Sequence, residues 1–220
     1  MGTSGMVFSD VEGTLTRGSL PALSVEVGLE IGIFALGQAR QLRALLWAAA
    51  HGPATVQRSL LFIAALRAAA GIDEAAVERW VAAIMPRVLP RVKPGSLARL
   101  RAHQAAGLPL VLASGGMHPL IARLAQELGG HGEGTKLQLH NGVYTAKIAG
   151  MVCQGEGKAE RTRQLMAQAG CDPRDCYGYG DTASDIPFLA LFGHPHAVDP
   201  DAILAAEAHR RGWQIVRGDL

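Results

Sequence analysis

Met6-Val7-Phe8-Ser9-Asp10-Val11-Glu12-Gly13-Thr14-Leu15 opens on a short apolar run that ends in an acid, then turns polar around a glycine. Apolar residues without alternation read as a strand buried on both faces, the habit of parallel sheets. The same design recurs at 108–114 (Leu-Pro-Leu-Val-Leu-Ala-Ser) and 175–181 (Asp-Cys-Tyr-Gly-Tyr-Gly-Asp), each strand closing on a polar group. Helical patterns over 95–106, 118–128, 157–169, 184–191 and 201–211 lie between and after them. Strand alternating with helix predicts an α/β fold: a Rossmann-like, doubly wound parallel sheet whose ligands bind beyond the carboxyl ends of its strands.

Residues 17–91 break that alternation. They are helix-forming, show no strand pattern and follow directly on the first strand, so they are expected to form an inserted, all-helical cap domain. The catalytic core domain would then comprise 1–16 and 92–220, with Gly18 and Pro21 marking one limit of the cap and Pro86, Pro90 and Pro94 the other. Lys136-Leu-Gln-Leu-His140 and Val143-Tyr-Thr-Ala-Lys147 flank Asn141-Gly142, a pair suited to a tight hairpin turn with positive φ.

With 220 residues, 49% hydrophobic and 18% charged, the chain can bury one core plus a small inserted unit. The net charge of +2 arises from 21 basic and 19 acidic residues spread along the sequence, which argues against a nucleic-acid partner. Any phosphate chemistry would therefore have to come from a local site. Cys153, Cys171 and Cys176 match no zinc or redox spacing and read as ordinary thiols of a reducing compartment. No basic segment followed by an apolar run precedes Asp10, so a cytoplasmic location is expected. Glu26, Glu30, Arg40, Arg43, Arg58 and Arg67 interrupt the Ala/Leu-rich stretch from Leu20 to Ala70, leaving no membrane span.

Four constellations carry chemistry. Asp10 and Glu12, two residues apart with Gly13 after them, suit a nucleophile and a proton-transfer partner around one phosphoryl group; the same string also suits a plain strand-to-turn junction. Ser114-Gly115-Gly116 before a helix offers a hydroxyl and amides to an anion. Asp181 and Asp185, four residues apart beyond a third strand, make a hard oxygen-donor site suited to Mg²⁺. Asp181 or Ser184 also suits a plain cap of the next helix, which accounts for one acid and not both. Lys158, at a helix start where the dipole needs no cation, could neutralise phosphate and Asp10 together.

The order Asp-x-Glu-Gly-Thr, Ser, Lys, Gly-Asp-x-x-x-Asp resembles the four motifs of the haloacid dehalogenase superfamily, and the helical insertion after the first motif resembles the cap of its phosphoserine phosphatase-like branch. The resemblance implies a Mg²⁺-dependent phosphatase acting on a small phosphorylated metabolite. It makes Asp10 the nucleophile that is transiently phosphorylated and Glu12 the acid and base. It gives Mg²⁺ to Asp10, the backbone carbonyl of Glu12 and Asp181, with Asp185 completing the metal site through bound water or orienting Lys158, and the phosphoryl oxygens to Ser114 and the Gly115 amide, with Lys158 offsetting charge. The family usually has aspartate where this chain has Glu12, whose extra methylene moves the carboxyl group by about 1.5 Å.

Two other readings compete. Gly178-Tyr-Gly180-Asp-Thr-Ala183 fits a dinucleotide fingerprint with Asp199 or Asp201 some twenty residues on, which would make the protein an oxidoreductase. A non-catalytic phosphometabolite-binding protein could also keep the fold. The histidines are scattered, His194 and His196 reading as loop or surface residues and His118 standing next to the anion loop. In the cap, Arg58 is the candidate binder of a substrate carboxylate; substrate identity and oligomeric state stay open.

Overall fold

The computed structural model describes residues 5–51, 64 and 67–220, apart from the side chains of 49 and 50. Six parallel strands form the main sheet: β1 (Val7–Ser9), β2 (Leu110–Met117), β3 (His131–Thr135), β6 (Tyr177–Gly180), β7 (His194–Val198) and β8 (Gln214–Val216). Their order is β3-β2-β1-β6-β7-β8, so the chain builds outward from a central β1 in one direction, then returns and builds in the other. This is the doubly wound topology, with its switch point beside β1.

Pleating divides the core. Val7, Leu110 and Leu112 face one cluster, whereas Phe8, Val111 and Ala113 face the other with Phe188, Phe192 and Leu204. The helices that cover the sheet are α4 (Pro94–Ala105), α5 (His118–Glu127), α6 (Glu156–Ala169), the short α7 (Ile186–Leu189) and α8 (Ala202–Arg211).

Between Thr16 and Val92 the described elements are helical: α1 (Leu20–Glu30), α2 (Leu36–His51) and α3 (Glu74–Val88), followed by a single 3₁₀ turn. Ser19 and Asp73 cap α1 and α3 by accepting the amides of Ala22 and Ala76. Trp80 of α3 is 1% exposed and donates its indole N–H to the Ser24 carbonyl at 2.8 Å. It joins Leu23, Val27 and Ile84 to the cluster that also holds Val11 and Leu15, in the loop that follows the central β1. Pro86 does not end its helix: α3 runs on to Val88 although proline lacks the N–H of an i→i−4 bond and crowds the carbonyl one turn back. The two linkers run antiparallel, Arg17 N–H donating to Arg91 O at 2.9 Å and Lys93 N–H to Leu15 O at 2.8 Å.

The hairpin forms as β4 (Leu137–His140) and β5 (Val143–Ile148), with φ of 52° at Asn141 and 74° at Gly142. It reaches the helical insertion, because Gly71 N–H donates to Tyr144 O at 2.9 Å, Tyr144 N–H to Ile72 O at 2.9 Å and Glu74 N–H to Gly142 O at 3.2 Å. His196 is a correction to the sequence reading: it lies within β7, buried, with its ring stacked 4.6 Å from that of Tyr179, whereas His194 opens the same strand and is exposed. Among the described residues no helix is long and apolar enough to cross a membrane.

Candidate active site

Asp10 follows directly on β1, with its amide held by Tyr179 O of the neighbouring β6 at 2.8 Å. Its Oδ1 accepts from Lys158 Nζ at 2.6 Å, and the same ammonium donates to Asp185 Oδ1 at 2.6 Å. Lys158 and Asp185 are each 2% exposed and Asp10 is 7%. Asp185 spends its other oxygen on the loop, accepting the amides of Asp181 at 3.3 Å and Thr182 at 3.2 Å in a capping box. The cap is thus Thr182, and Asp185 serves both the cap and the lysine.

Asp181 faces Asp10 across the switch point. Its Oδ1 accepts from Thr14 Oγ1 at 3.1 Å, and Gly13, at φ +80°, leaves it room: a Cβ there would lie 2.0 Å from Asp181 Oδ2. Oxygens of Asp10, Asp181 and Asp185 all lie within 4.8 Å of one another. Three carboxylates therefore share one ammonium.

The electrostatics follow from that ratio. Burial pushes Asp10 up to about 6, against the pull of Lys158 and with the charge of Asp185 adding to the rise. Burial, then the charges of Asp10 and Asp185, raise Asp181 to about 8. Burial disfavours the Lys158 charge, but Asp10 and Asp185 outweigh it and hold the ammonium above its usual range. A small hard divalent cation fits this donor set, because all its side-chain ligands are carboxylate oxygens and their charge is only partly compensated.

The remaining expected residues are placed as follows. Ser114 is 2% exposed on β2, which continues through the Ser-Gly-Gly run to Met117 rather than stopping before it. Its Oγ accepts the Gly116 amide at 3.1 Å, and Gly115 stands against Gln154. Glu12 turns toward the helical insertion, its Oε1 accepting the Leu20 amide at 2.9 Å in the first turn of α1. Arg58 lies outside the described residues. His118 accepts the Gly134 amide on Nδ1 at 3.3 Å and braces β3.

Sequence reasoning missed a second support of the first loop. Lys93 is 8% exposed and its Nζ donates to the Gly13 carbonyl and, at 3.0 Å, to Asp199 Oδ2. Asp199 has φ of +41° and accepts the Gly218 amide at 3.0 Å. Ser96, one turn on, donates to Thr14 O at 2.8 Å. The signal available was a lysine immediately before Pro94-Gly95, which reads as a domain limit rather than as a buried cation.

The dinucleotide alternative fails on topology. Gly178 and Gly180 lie inside β6 rather than in a turn that opens a helix, and Asp181 occupies the carboxylate cluster. Asp201 is instead the N-cap of α8, accepting the Leu204 amide at 2.8 Å.

Known proteins resemble this chain to different depths. Over 130 residues the chain is 35% identical to a Mycobacterium tuberculosis H37Rv protein named as a probable phosphatase, covering 59% of this chain and 45% of that one. It is 32% identical over 129 residues to a phosphoserine phosphatase of the same strain, covering 58% and 42%. The chain thus spans about half the length of the curated relatives it matches. The crystal structure of a protein of unknown function from Bordetella pertussis Tohama I has the same fold, with a TM-score of 0.79 over 97% of this chain and 98% of that one at 24% identity. The model of the haloacid dehalogenase-like hydrolases matches residues 7–190, from β1 through the Asp181–Asp185 loop, and the chain belongs to that family.

Proposed function

We propose that the protein is a Mg²⁺-dependent phosphatase that hydrolyses a small phosphomonoester through an aspartyl phosphate on Asp10. The observation that carries this is the contact of Lys158 with both Asp10 and Asp185 while Asp181 stands within the same 4.8 Å cluster. A lysine so held leaves one Asp10 oxygen occupied by a cation and the other for attack on phosphorus. A nucleophilic carboxylate at a strand end, fixed by Tyr179 O through its own amide, has its direction set before substrate arrives.

Asp10, Asp181, Asp185 and the Glu12 carbonyl would hold Mg²⁺, which supplies charge stabilisation to the transferring phosphoryl group. The chain's own residues do the rest. Asp10 forms the new P–O bond as the ester oxygen departs with a proton from Glu12. Glu12 then takes a proton from water as that water displaces Asp10 from phosphorus, releasing inorganic phosphate and restoring the carboxylate. Ser114 and the Gly115 amide would bind phosphoryl oxygens, and Lys158 would neutralise charge that builds on them.

Residues 17–91 are read as a cap domain over a core of 1–16 and 92–220, closing the site to bulk water. The phosphoserine phosphatase among the relatives supports a small phosphorylated metabolite as substrate. A panel of phosphomonoesters assayed with Mg²⁺ tests the reading, with turnover expected to vanish in chelator. In the same assay Glu12→Gln should cost about 10²–10⁴ in rate with alkyl phosphates, and less with p-nitrophenyl phosphate, whose phenolate leaves unaided. Full turnover in chelator would sink the proposal.

A further inference from the structure

The outward face of α2 is unlike the polar face of an ordinary surface helix. At 100° per residue, Leu36, Arg40, Arg43, Trp47 and His51 fall within an arc of about 80°. All five are exposed, Leu36 at 84% and Trp47 at 66%, and Ile31 at the preceding turn is 47% exposed. The rest of the helix circumference carries Leu42, fully buried, with Ala39, Leu45 and Leu46 packed against the core. The exposed stripe is thus not the side that holds the helix to the protein.

Its charge is of one sign. Between Glu30 and Asp73 the sequence contains no acidic residue, against four arginines, Arg40, Arg43, Arg58 and Arg67. Among the described residues neither Arg40 nor Arg43 has an ion-pair partner. Surface helices normally intersperse both signs, because i,i+4 pairs stabilise them and a mixed surface stays soluble. Here two apolar side chains, one of them a tryptophan stacked on His51 with ring centroids 4.5 Å apart, are set among cations alone.

We propose that this face of α2 docks the protein peripherally on an anionic lipid bilayer. The chemistry is complementary on both counts: arginines pair with phosphate headgroups, and tryptophan and leucine enter the interfacial region, where an amphipathic ring is at its most favourable. The helix would lie along the surface without crossing it. A protein partner would more commonly demand mixed charge and a bounded apolar centre, with charged residues depleted there.

The test uses the full chain and sedimentation with vesicles of phosphatidylcholine alone or containing about one-third phosphatidylglycerol, at low and at physiological salt. Binding is expected to the anionic vesicles only and to weaken as salt rises. Arg40→Glu with Arg43→Glu should weaken the partition by about tenfold or more, since each basic side chain near such a surface contributes several-fold. Trp47→Ala should weaken it less, and Trp47→Phe should abolish the quenching of protein fluorescence by brominated lipid while retaining most of the binding. Because these side chains are exposed, unchanged melting temperatures will show that the variants fold. Absence of sedimentation, or sedimentation that the double charge reversal leaves unchanged, overturns the proposal. So does a lipid-free dimer broken by Trp47→Ala, which would assign the face to a second copy.

Discussion

Lys158 and Arg161 leave the same helix, α6, three residues apart, and each reaches a buried acid. Lys158 meets Asp10 and Asp185, whereas Arg161 donates to Glu133 at 2.7 Å, where His131 at 2.9 Å and Lys136 at 3.7 Å also converge. The first place has three carboxylates for one cation; the second has one carboxylate for up to three. Burial alone would raise Glu133, yet hydrogen bonds from Arg161 and His131, with the charges of Arg161 and Lys136 behind them, carry it down to about 2. At the first place Asp10 and Asp181 rise to about 6 and 8. One cluster is electrostatically complete, and the other still calls for positive charge; burial is common to both, so it is the charge ratio that separates structure from chemistry.

That contrast can be broken by substitution. Asp10→Asn should lower turnover by at least about 10³-fold with the fold intact, while Glu133→Gln should leave kcat within about twofold. Steady-state assays on both variants settle it, and a comparable loss in Glu133→Gln would erase the distinction.

Stability should show the reverse order. Glu133→Ala strands Arg161, whose side chain is 29% exposed, so the cost should sit near the low end for a broken buried pair, about 2–3 kcal/mol by urea unfolding. Asp10→Asn should cost nothing of the kind in metal-free protein, because it removes a charge from a site with too many.

The pH dependence sharpens this further, because the signs are opposite. Asp10 and Asp181 have folded-state values above their ordinary 3.8, so the folded state holds protons that the unfolded state has released. Their contribution is complete below about pH 4 and is lost as pH rises through 6 and 8. Glu133 lies below its ordinary 4.5, so its contribution is present above that value and is lost as pH falls toward 2. In chelator, the melting temperature should therefore decline by several degrees between pH 5 and 8, and Asp181→Asn or saturating Mg²⁺ should flatten the decline. Calorimetry across that range checks both.

A smaller effect is expected at Lys93. Lys93→Met frees the Gly13 carbonyl and leaves Asp199 without its closest cation. Turnover should fall by about tenfold, with KM little changed, as the loop carrying Gly13 loosens against Asp181. A KM effect larger than the kcat effect would place Lys93 with substrate binding instead.

The acids and Lys158 were legible because each sits within a residue or two of a strand end or helix start, where local pattern fixes position. Three strands were not. His131-Gly-Glu-Gly-Thr135 carries glycine where side chains should announce a strand, because α5 presses on it: a Cβ on Gly132 would lie 2.5 Å from Ile121 O. Gln214–Val216 is the edge strand, where burial on both faces is not required and polar residues are tolerated, whereas His194–Val198 is buried on both faces from His196 on but opens on His-Pro-His, which carries no apolar signal. The bond from Glu12 to the Leu20 amide, and the Lys93–Asp199 pair, depend on how separate segments meet, and no local pattern encodes that.

The hairpin has a mechanical consequence. Two adjacent linkers, as at Arg17 and Arg91, make a door hinge, about which a lid can swing with little strain. Three hydrogen bonds between β5 with its turn and residues 71–74 add a latch on the far side, turning the door into a tripod. The proposed cap therefore cannot swing wide unless the latch parts or the hairpin bends with it. The amide protons of Gly71, Glu74 and Tyr144 would then exchange with solvent at the rate of opening, making them clocks for substrate entry and phosphate release.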